Sequence, residues 1–191
     1  GQLAELFGKH ESLYFPIHPG DEGAQVGGLT VMNAGGVRAV RYGVMREQVK
    51  ALEVVLPTGE IIHLGGKTIK NNSGLDLKNL IIGSEGILGI VTKATLAIRP
   101  KDKHTGSLIV SFDSEADAVK SVTEIFKSGI RPLAIEYMEK EAILRAAKDI
   151  GLTWPSDKGN IDLYFIVSER KEDDLYEMYE TIVGICEENN A

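Results

Sequence analysis

Short apolar runs separated by turns fill the first half of the chain. Three of these runs predict strands of an antiparallel sheet, at residues 47–57, 61–64 and 89–99. Residues 57–60 have the composition of a turn and would join the first two strands as a hairpin. Residues 2–7 predict the end of a helix, residues 14–19 predict extended chain, and residues 27–36 predict a short helix followed by a loop.

The second half alternates between strand and helix patterns. Strand patterns lie at residues 107–112, 133–137 and 161–168, and helix patterns follow them at residues 115–128, 139–150 and 173–188. Ser114 is a typical N-cap for the first helix, and Val119, Val122 and Phe126 are predicted to face the core. With the helix at residues 139–150 taken as an insertion, the order is that of a ferredoxin-like β-α-β-β-α-β unit without its last strand, so we expect a truncated unit of this type.

A polar segment at residues 100–106, which ends in glycine, separates the two patterns. We therefore expect an α+β fold with two domains, residues 1–103 and residues 104–191. Because the chain opens at Gly1 in the middle of a helix pattern, we also expect it to be a piece of a longer polypeptide.

Composition excludes several classes of protein. The net charge of −7 argues against non-specific nucleic-acid binding, which needs a basic face. The longest uncharged apolar runs are too short for a transmembrane segment, and nothing resembles a signal peptide. The single cysteine, Cys186, excludes an internal disulfide and is predicted to be buried and inert. His10, His18, His63 and His104 are scattered without metal-binding spacing, so no metal site is predicted.

Two glycine-rich tracts about fifty residues apart carry the strongest chemical signal. The first tract is residues 26–36 and the second tract is residues 83–92. Glycine lets the backbone approach a ligand closely and present its N–H and C=O groups. Neither tract follows the G-x-G-x-x-G pattern or the phosphate loop that ends in Gly-Lys-Ser/Thr. Together they predict a main-chain site for a long, planar, phosphorylated ligand, although any one glycine could instead permit a turn or a bulge.

These tracts and the residues between them resemble the FAD-binding domain of the vanillyl-alcohol-oxidase superfamily. The resemblance is carried by Gly27-Gly28, by Asn33-Ala34-Gly35-Gly36, by residues 38–43 and 52–56, by Gly83-Ser84-Glu85-Gly86 and by Leu88-Gly89-Ile90. The resemblance spans most of residues 19–100. Within the superfamily, the chain is similar to the FAD-linked subunit of glycolate oxidase and to D-lactate dehydrogenase. It implies the second subdomain of an FAD-binding domain, with antiparallel sheet and helices, followed by a truncated ferredoxin-like cap domain.

The resemblance also implies which residues contact FAD. Carried over by position, the candidates are Pro19, Gln25, Gly27, Gly28, Asn33, Ala34, Gly35, Gly36, Glu85, Gly86, Gly89, Ile90 and Val91. The chain departs from the family at Gln25, where relatives carry a small hydroxyl residue, and at Ile87, where they carry a threonine. Gln25 can still donate a hydrogen bond through its amide, whereas Ile87 cannot. A covalent flavin link through His10 or His18 is a less favoured alternative to an ordinary surface histidine.

The implied activity is oxidation of a small 2-hydroxy acid, glycolate or D-lactate, by hydride transfer to FAD. Neither the family's upstream phosphate-binding loop nor its downstream histidine motif is found in this chain, so no catalytic residue is assigned. Glu136 could point into a substrate cleft or be a solvated strand carboxylate. The alternatives are a flavin transferase similar to alkyl-dihydroxyacetone-phosphate synthase and a ligand-binding module without redox activity.

The expected partners are the 2-hydroxy acid and, in the parent protein, an electron acceptor or partner subunit. No nucleic acid and no transmembrane segment are expected. The expected location is cytoplasmic, with a peripheral membrane association through a partner left open. A homodimer joined through an unpaired strand edge of the second domain also stays open.

Overall fold

The computed structural model describes residues 5–6, 8–10, 12–17, 20 and 23–191, and the chain divides into two compact units, Gly1–Lys101 and Asp102–Ala191. Each unit has its own buried core. Of the helix predicted at residues 2–7, only residues 5 and 6 are described, and both are helical. Pro19 and His18 lie outside the described residues.

The first unit contains a three-stranded antiparallel sheet. Its strands are β2 (Val49–Val55), β3 (Ile61–Gly65) and β4 (Ile90–Leu96), and β2 lies in the centre. The hairpin predicted between the first two strands is confirmed, because Val55 pairs with Ile61 and Val54 with Ile62. Two short strands, β1 (Leu13–Tyr14) and β5 (Arg99–Pro100), pair with each other.

Within residues 23–101, four short helices accompany this sheet: α1 (Val26–Val31), α2 (Ala39–Tyr42), α3 (Met45–Gln48) and α4 (Leu77–Ile81). Together with the sheet they enclose a core built on Ile17, Met45, Val49, Leu52, Val54, Ile81 and Ile82.

Two predicted strand boundaries in this unit are wrong. The strand expected from residue 47 begins at Val49, because residues 45–48 form α3. The Glu47 carboxylate accepts a hydrogen bond of 2.8 Å from the Val44 N–H and so stabilises the start of that helix. The strand expected over residues 89–99 ends at Leu96, and Arg99 pairs with Tyr14 in a separate short strand.

The second unit alternates strands and helices in the predicted order. Its elements are β6 (His104–Phe112), α5 (Glu115–Lys127), β7 (Ala134–Glu139), α6 (Lys140–Asp149), β8 (Ile161–Glu169) and α7 (Glu172–Glu188). The three strands form an antiparallel sheet in the order β6-β8-β7. The α+β fold class is therefore confirmed.

The buried face of α5 differs from the prediction. The N-cap is confirmed, since the Ser114 hydroxyl accepts a hydrogen bond from the Asp117 N–H. Val122 packs against the core as predicted, but the fully buried residues are Ala118, Ser121 and Ile125, and Val119 is 53% exposed. Small side chains at Ala118 and Ser121 allow α5 to pack against α7. The Ser121 hydroxyl can be buried because it donates to the Asp117 carbonyl at 2.9 Å.

A buried charged network ties the loop before β8 to the sheet of the second unit. Lys140 Nζ donates to both carboxylate oxygens of Asp162, at 2.6 and 2.5 Å. Trp154 Nε1 and Ser111 Oγ donate to the same carboxylate at 2.7 and 2.6 Å. The Lys140 ammonium also reaches the carbonyl of Ser156 at 3.1 Å. The strand pattern alone predicts only a polar position at residue 162, because the partners come from distant segments.

Replacing Asp162 with alanine should strongly destabilise the second unit. The change would leave the ammonium of Lys140, whose side chain is 8% exposed, buried without its partner. Breaking one side of a buried pair costs about 3–5 kcal/mol of unfolding free energy. Urea unfolding followed by Trp154 fluorescence measures this directly, since Trp154 is the single tryptophan of the chain.

The matched control is Glu141→Ala, which removes the exposed pair between Glu141 and Arg145. That change should lower the unfolding free energy by about 0.5 kcal/mol or less. Equal losses for the two variants would show that the Asp162 network does not hold the loop.

Cys186 should be unreactive in the folded protein. Its thiol is fully buried, and burial raises its pKa to about 11, so the nucleophilic thiolate is scarce at pH 8. We expect an aromatic disulfide reagent to modify no cysteine in the native protein at pH 8 and one cysteine per chain in denaturant. Rapid native labelling would contradict this burial.

Candidate functional site

The two glycine-rich tracts lie side by side in the first unit. The Glu85 N–H donates to the Val31 carbonyl at 2.9 Å, and the Gly83 N–H donates to the Thr30 carbonyl at 3.3 Å. Helix α1, which begins the first tract, packs against β4, which ends the second. Residues separated by about fifty positions in sequence therefore form one surface.

Both tracts contain backbone in the left-handed region where they meet. Asn33 has a φ of 48° and Glu85 a φ of 56°, and few residues other than glycine adopt such angles. Gly83 and Gly86 flank Glu85 with φ values of 84° and 82°. A non-glycine residue in this region persists only where surrounding contacts hold it, so local strain is concentrated at this junction.

The surroundings of the glycines differ along the two tracts: some positions are closely packed and others face open space. At Gly89 a Cβ would lie 2.7 Å from Val54 Cγ1 and 2.8 Å from the Val55 carbonyl oxygen, so this glycine permits close packing on β2. A Cβ at Gly27 would make ordinary contact with the Val91 carbonyl oxygen at 3.6 Å. At Gly28 and Gly86 a Cβ would meet no described atom within 4 Å. Packing therefore explains Gly89, whereas open space faces Gly28 and Gly86.

The junction also presents hydrogen-bonding groups that the described residues do not use. The N–H groups of Gly35, Gly36 and Gly86 donate no hydrogen bond to the part of the chain that the structure describes. Ser84 Oγ is buried and likewise has no partner among the described residues. A buried hydroxyl without a partner is costly in a folded protein unless a ligand or water satisfies it.

Apolar side chains project beside these polar groups. Met32 is 61% exposed, Ile87 is 80% exposed and Ile90 is 69% exposed. The combination of free N–H donors and exposed apolar side chains suits a ligand that has both anionic groups and flat rings. Ile87, at a position where the family carries threonine, offers apolar contact only.

The remaining predicted site residues fall on the same tracts. Gln25 is the N-cap of α1, and its carbonyl accepts from the Leu29 N–H at 2.9 Å. The Ala34 carbonyl accepts from the Met45 N–H at 2.9 Å, so this part of the first tract is fixed to α3. Val91 is half-buried in β4. Pro19, which lies outside the described residues, stays a prediction.

Sequence reasoning missed Arg46. The Arg46 N–H donates to Asn33 Oδ1 at 3.0 Å, and its guanidinium donates to the carbonyls of Asn79 and Ile82 at 2.7 and 2.8 Å. Through its backbone N–H and its guanidinium, this residue thus connects the first tract to the residue that precedes the second. No local pattern reveals it, because its partners lie 13 to 36 positions away.

A cavity of about 460 Å³ lies on the other side of Arg46, between β3 and the loop that leads into α4. Among the described residues, its lining includes Arg46, Lys50, His63 and Lys78 but no residue of either tract. The tract surface is therefore separate from this cavity.

The described residues provide no obvious metal or acid–base centre. Within residues 5–6, 8–10, 12–17, 20 and 23–191, the His, Cys, Asp and Glu side chains form no group of three that could hold a metal ion. His63 is exposed and contacts the Glu53 carboxylate at 3.2 Å. Glu136 is half-buried in β7, opposite Tyr164 of β8. In the part of the chain that the structure describes, no helix has the length and apolar character needed to cross a membrane.

Two family models match the chain, and each covers one part of it. The FAD binding domain matches residues 2–65, and the C-terminal domain of FAD linked oxidases matches residues 101–191. The chain belongs to the FAD-linked oxidase family. The cofactor of this family is FAD, and the free donors, orphaned Ser84 hydroxyl and exposed apolar side chains at the junction fit that cofactor.

Curated relatives of this FAD-linked oxidase include D-lactate dehydrogenase of Archaeoglobus fulgidus, which is 44% identical over 165 residues. That match covers 86% of the chain and 37% of the relative. Glycolate oxidase subunit GlcD of Bacillus subtilis is 37% identical over 135 residues, covering 70% of the chain and 29% of that protein. The chain therefore spans about a third of the length of these relatives.

A solved structure of alkyldihydroxyacetonephosphate synthase resembles the FAD-linked oxidase chain with a TM-score of 0.76. The likeness covers 98% of the chain and 36% of the synthase chain at 20% sequence identity. At this identity the likeness shows a shared fold and carries no statement about activity.

Alanine substitutions should distinguish Gly89, where the lack of a Cβ permits close packing, from Gly28, where a Cβ would face open space. Gly89→Ala should lower the unfolding free energy of the first unit by about 1–3 kcal/mol, because the new methyl group overlaps Val54 and the Val55 backbone. Gly28→Ala, inside α1 and facing open space, should raise it by about 0.5–1 kcal/mol. Urea unfolding followed by far-ultraviolet circular dichroism checks both changes, and a destabilising Gly28→Ala would show that unrecognised packing surrounds Gly28.

Proposed function

We propose that this chain is part of an FAD-dependent oxidoreductase that oxidises a small 2-hydroxy acid, glycolate or D-lactate, to the 2-oxo acid. Residues 1–103 would be the C-terminal part of the FAD-binding domain and residues 104–191 the N-terminal part of the substrate domain. The observation that carries the proposal is the junction of the two tracts, where free main-chain donors lie beside exposed apolar side chains.

Each group at the junction has a role in this proposal. The N–H groups of Gly35, Gly36 and Gly86 would donate to the anionic part of the cofactor, and Ser84 Oγ would gain the partner it lacks within the described chain. Ile87 and Ile90 would contact its ring systems. Hydride acceptance from the carbon that bears the substrate hydroxyl is the chemistry that bound FAD supplies.

The substrate class is supported by the names of the relatives, which include D-lactate dehydrogenase and glycolate oxidase subunit GlcD. We propose that the base that removes the hydroxyl proton lies outside residues 1–191, because no described side chain has both a position and a partner suited to that role. Glu136 is the alternative within the chain, since it is half-buried on the sheet of the second unit.

The proposed partners follow from the same assignment. Reduced cofactor must be reoxidised, so the whole protein needs an electron acceptor, either a small molecule or a partner subunit. We propose that the protein is cytoplasmic. Any contact with a membrane would be made through that partner. A homodimer through the second domain is part of the proposal as well.

Side chains placed in the open space of the tracts should block FAD binding in the full-length protein. Gly28→Leu fills space that the described chain leaves empty, so it should keep the fold and raise the dissociation constant for FAD by about 100-fold or more. Gly86→Val should also abolish flavin retention, with some added backbone strain because the φ at Gly86 is 82°. Flavin fluorescence quenching on titration into the apoprotein measures both effects.

The control for this experiment is Gly184→Leu, a helical glycine of the second unit with no described atom near its Cβ position. It should bind FAD like the wild type. Wild-type affinity in Gly28→Leu would mean that the flavin does not lie over the first tract. Failure of the full-length wild-type protein to bind FAD would refute the proposed function itself.

The 191-residue chain alone should bind FAD weakly and should not oxidise glycolate or D-lactate with an artificial electron acceptor. It contributes only part of the proposed cofactor surface, and removal of a positioned general base typically slows a reaction by about 10² to 10⁴. Gel filtration with FAD and steady-state dye reduction test the two statements. Stoichiometric FAD on the purified chain, or turnover that Glu136→Gln abolishes, would contradict them.

A further inference from the structure

Arg46 bonds two segments of the first unit that are distant from it in sequence, one through its backbone N–H and the other through its guanidinium. Its guanidinium donates to the Asn79 carbonyl through Nη1 at 2.7 Å and to the Ile82 carbonyl through Nη2 at 2.8 Å. Its own N–H donates to Asn33 Oδ1 at 3.0 Å. One residue therefore contacts the last part of the first tract and the residue directly before the second tract.

The two carbonyls that Arg46 contacts belong to the C-terminal end of α4. The carbonyls at the end of a helix have no partner within the helix, and a basic side chain can satisfy them. Because α4 has only five residues, it holds its own position weakly, and Ile82 leads directly into Gly83. The guanidinium thus fixes the point at which the chain enters the second tract.

The Asn33 contact fixes the first tract at the same point. A Cβ at Gly83 would lie 3.3 Å from Arg46 Nη2 and 3.4 Å from Asn33 Cβ, so these three residues are packed together. Asn33 has a left-handed backbone, and its side chain is held by the Arg46 N–H. The spacing between the tracts therefore depends on Arg46 from both sides.

We propose that Arg46 is the positioning residue that sets the spacing of the two tracts for the flavin, an inference that rests on the proposed function. The guanidinium uses one N–H of each terminal nitrogen to bond the Asn79 and Ile82 carbonyls, so the role proposed for Arg46 is to hold the end of α4 rather than to bind the ligand. It acts through the N–H groups of the tracts, whose direction it fixes. A planar guanidinium can bond two separate carbonyls at once, whereas a lysine ammonium is a single flexible donor group.

The test uses Arg46→Lys in the full-length apoprotein, because this change keeps the charge and the backbone N–H. The matched control is Arg131→Lys in the second unit, where Arg131 Nη1 donates to the carbonyls of Phe126 and Ile130, both at 3.1 Å. Hydrogen exchange of the Gly83 and Glu85 amides reports on the junction directly, since these amides cross between the tracts. The FAD dissociation constant and Tm are measured on the same samples.

Arg46→Lys should speed exchange at Gly83 and Glu85 more than elsewhere in the first unit and should raise the FAD dissociation constant by about 10- to 100-fold. Arg131→Lys should change neither quantity. Wild-type exchange and affinity in Arg46→Lys would overturn the proposal. A uniform rise in exchange across the first unit, with a lower Tm, would also overturn it, because Arg46 would then act on stability alone.

A second variant, Asn33→Gly, keeps the test decisive where Arg46→Lys does not fold. Glycine accepts the left-handed backbone at this position but removes the Oδ1 acceptor. Faster exchange at Glu85 supports the proposal, and unchanged exchange opposes it. Exchange is measured without FAD, so a wild-type protein that fails to bind FAD would refute the proposed function, while this result still decides whether the bond between the Arg46 N–H and Asn33 holds the junction.

Discussion

The hydrogen bonds that Gly83 and Glu85 donate to Thr30 and Val31 are the constraint on which the first unit depends. A ligand surface made of main chain must satisfy most of its own N–H and C=O groups and still leave a few free. Here the bonds between the tracts satisfy the N–H groups of Gly83 and Glu85 and the carbonyls of Thr30 and Val31. The amides of Gly35, Gly36 and Gly86 remain available within the described chain. Neither tract could hold that arrangement alone, because each supplies the partners of the other.

This arrangement concentrates strain, and the core beneath it compensates. Asn33 and Glu85 both have left-handed backbones, which is unfavourable for residues other than glycine. Met45, Ile81 and Ile82 are almost fully buried in the core. Ile81 and Ile82 directly precede the second tract in sequence, and the Met45 N–H bonds the Ala34 carbonyl of the first tract. The strained junction is thus anchored on residues that cannot move without exposing apolar surface.

The sequence predicts those parts of the structure that depend on local period and local turn chemistry. The hairpin of β2 and β3, the strand-helix alternation of the second unit and the Ser114 cap are all of this kind. The prediction for α5 is correct at Val122 and wrong at Val119, because helical period alone does not say which of two adjacent faces meets a neighbour. The site residues of the tracts came from family resemblance and remain predictions, while Arg46 and Asp162 gave no signal because their partners are distant in sequence.

Arg46 and Asp162 nevertheless follow one physical rule. Arg46 donates to carbonyls at the end of α4, and Asp162 in β8 accepts from the side chains of Lys140 and of Trp154, which lies in the loop that precedes β8. Each group thus holds an irregular segment through several directional, charge-assisted hydrogen bonds, which permit few other arrangements of their partners. Apolar contacts are non-directional, so they alone would not fix such a segment in one position. Charged hydrogen-bonding side chains are therefore suited to fixing the position of an irregular segment, and the junction of the tracts is such a segment.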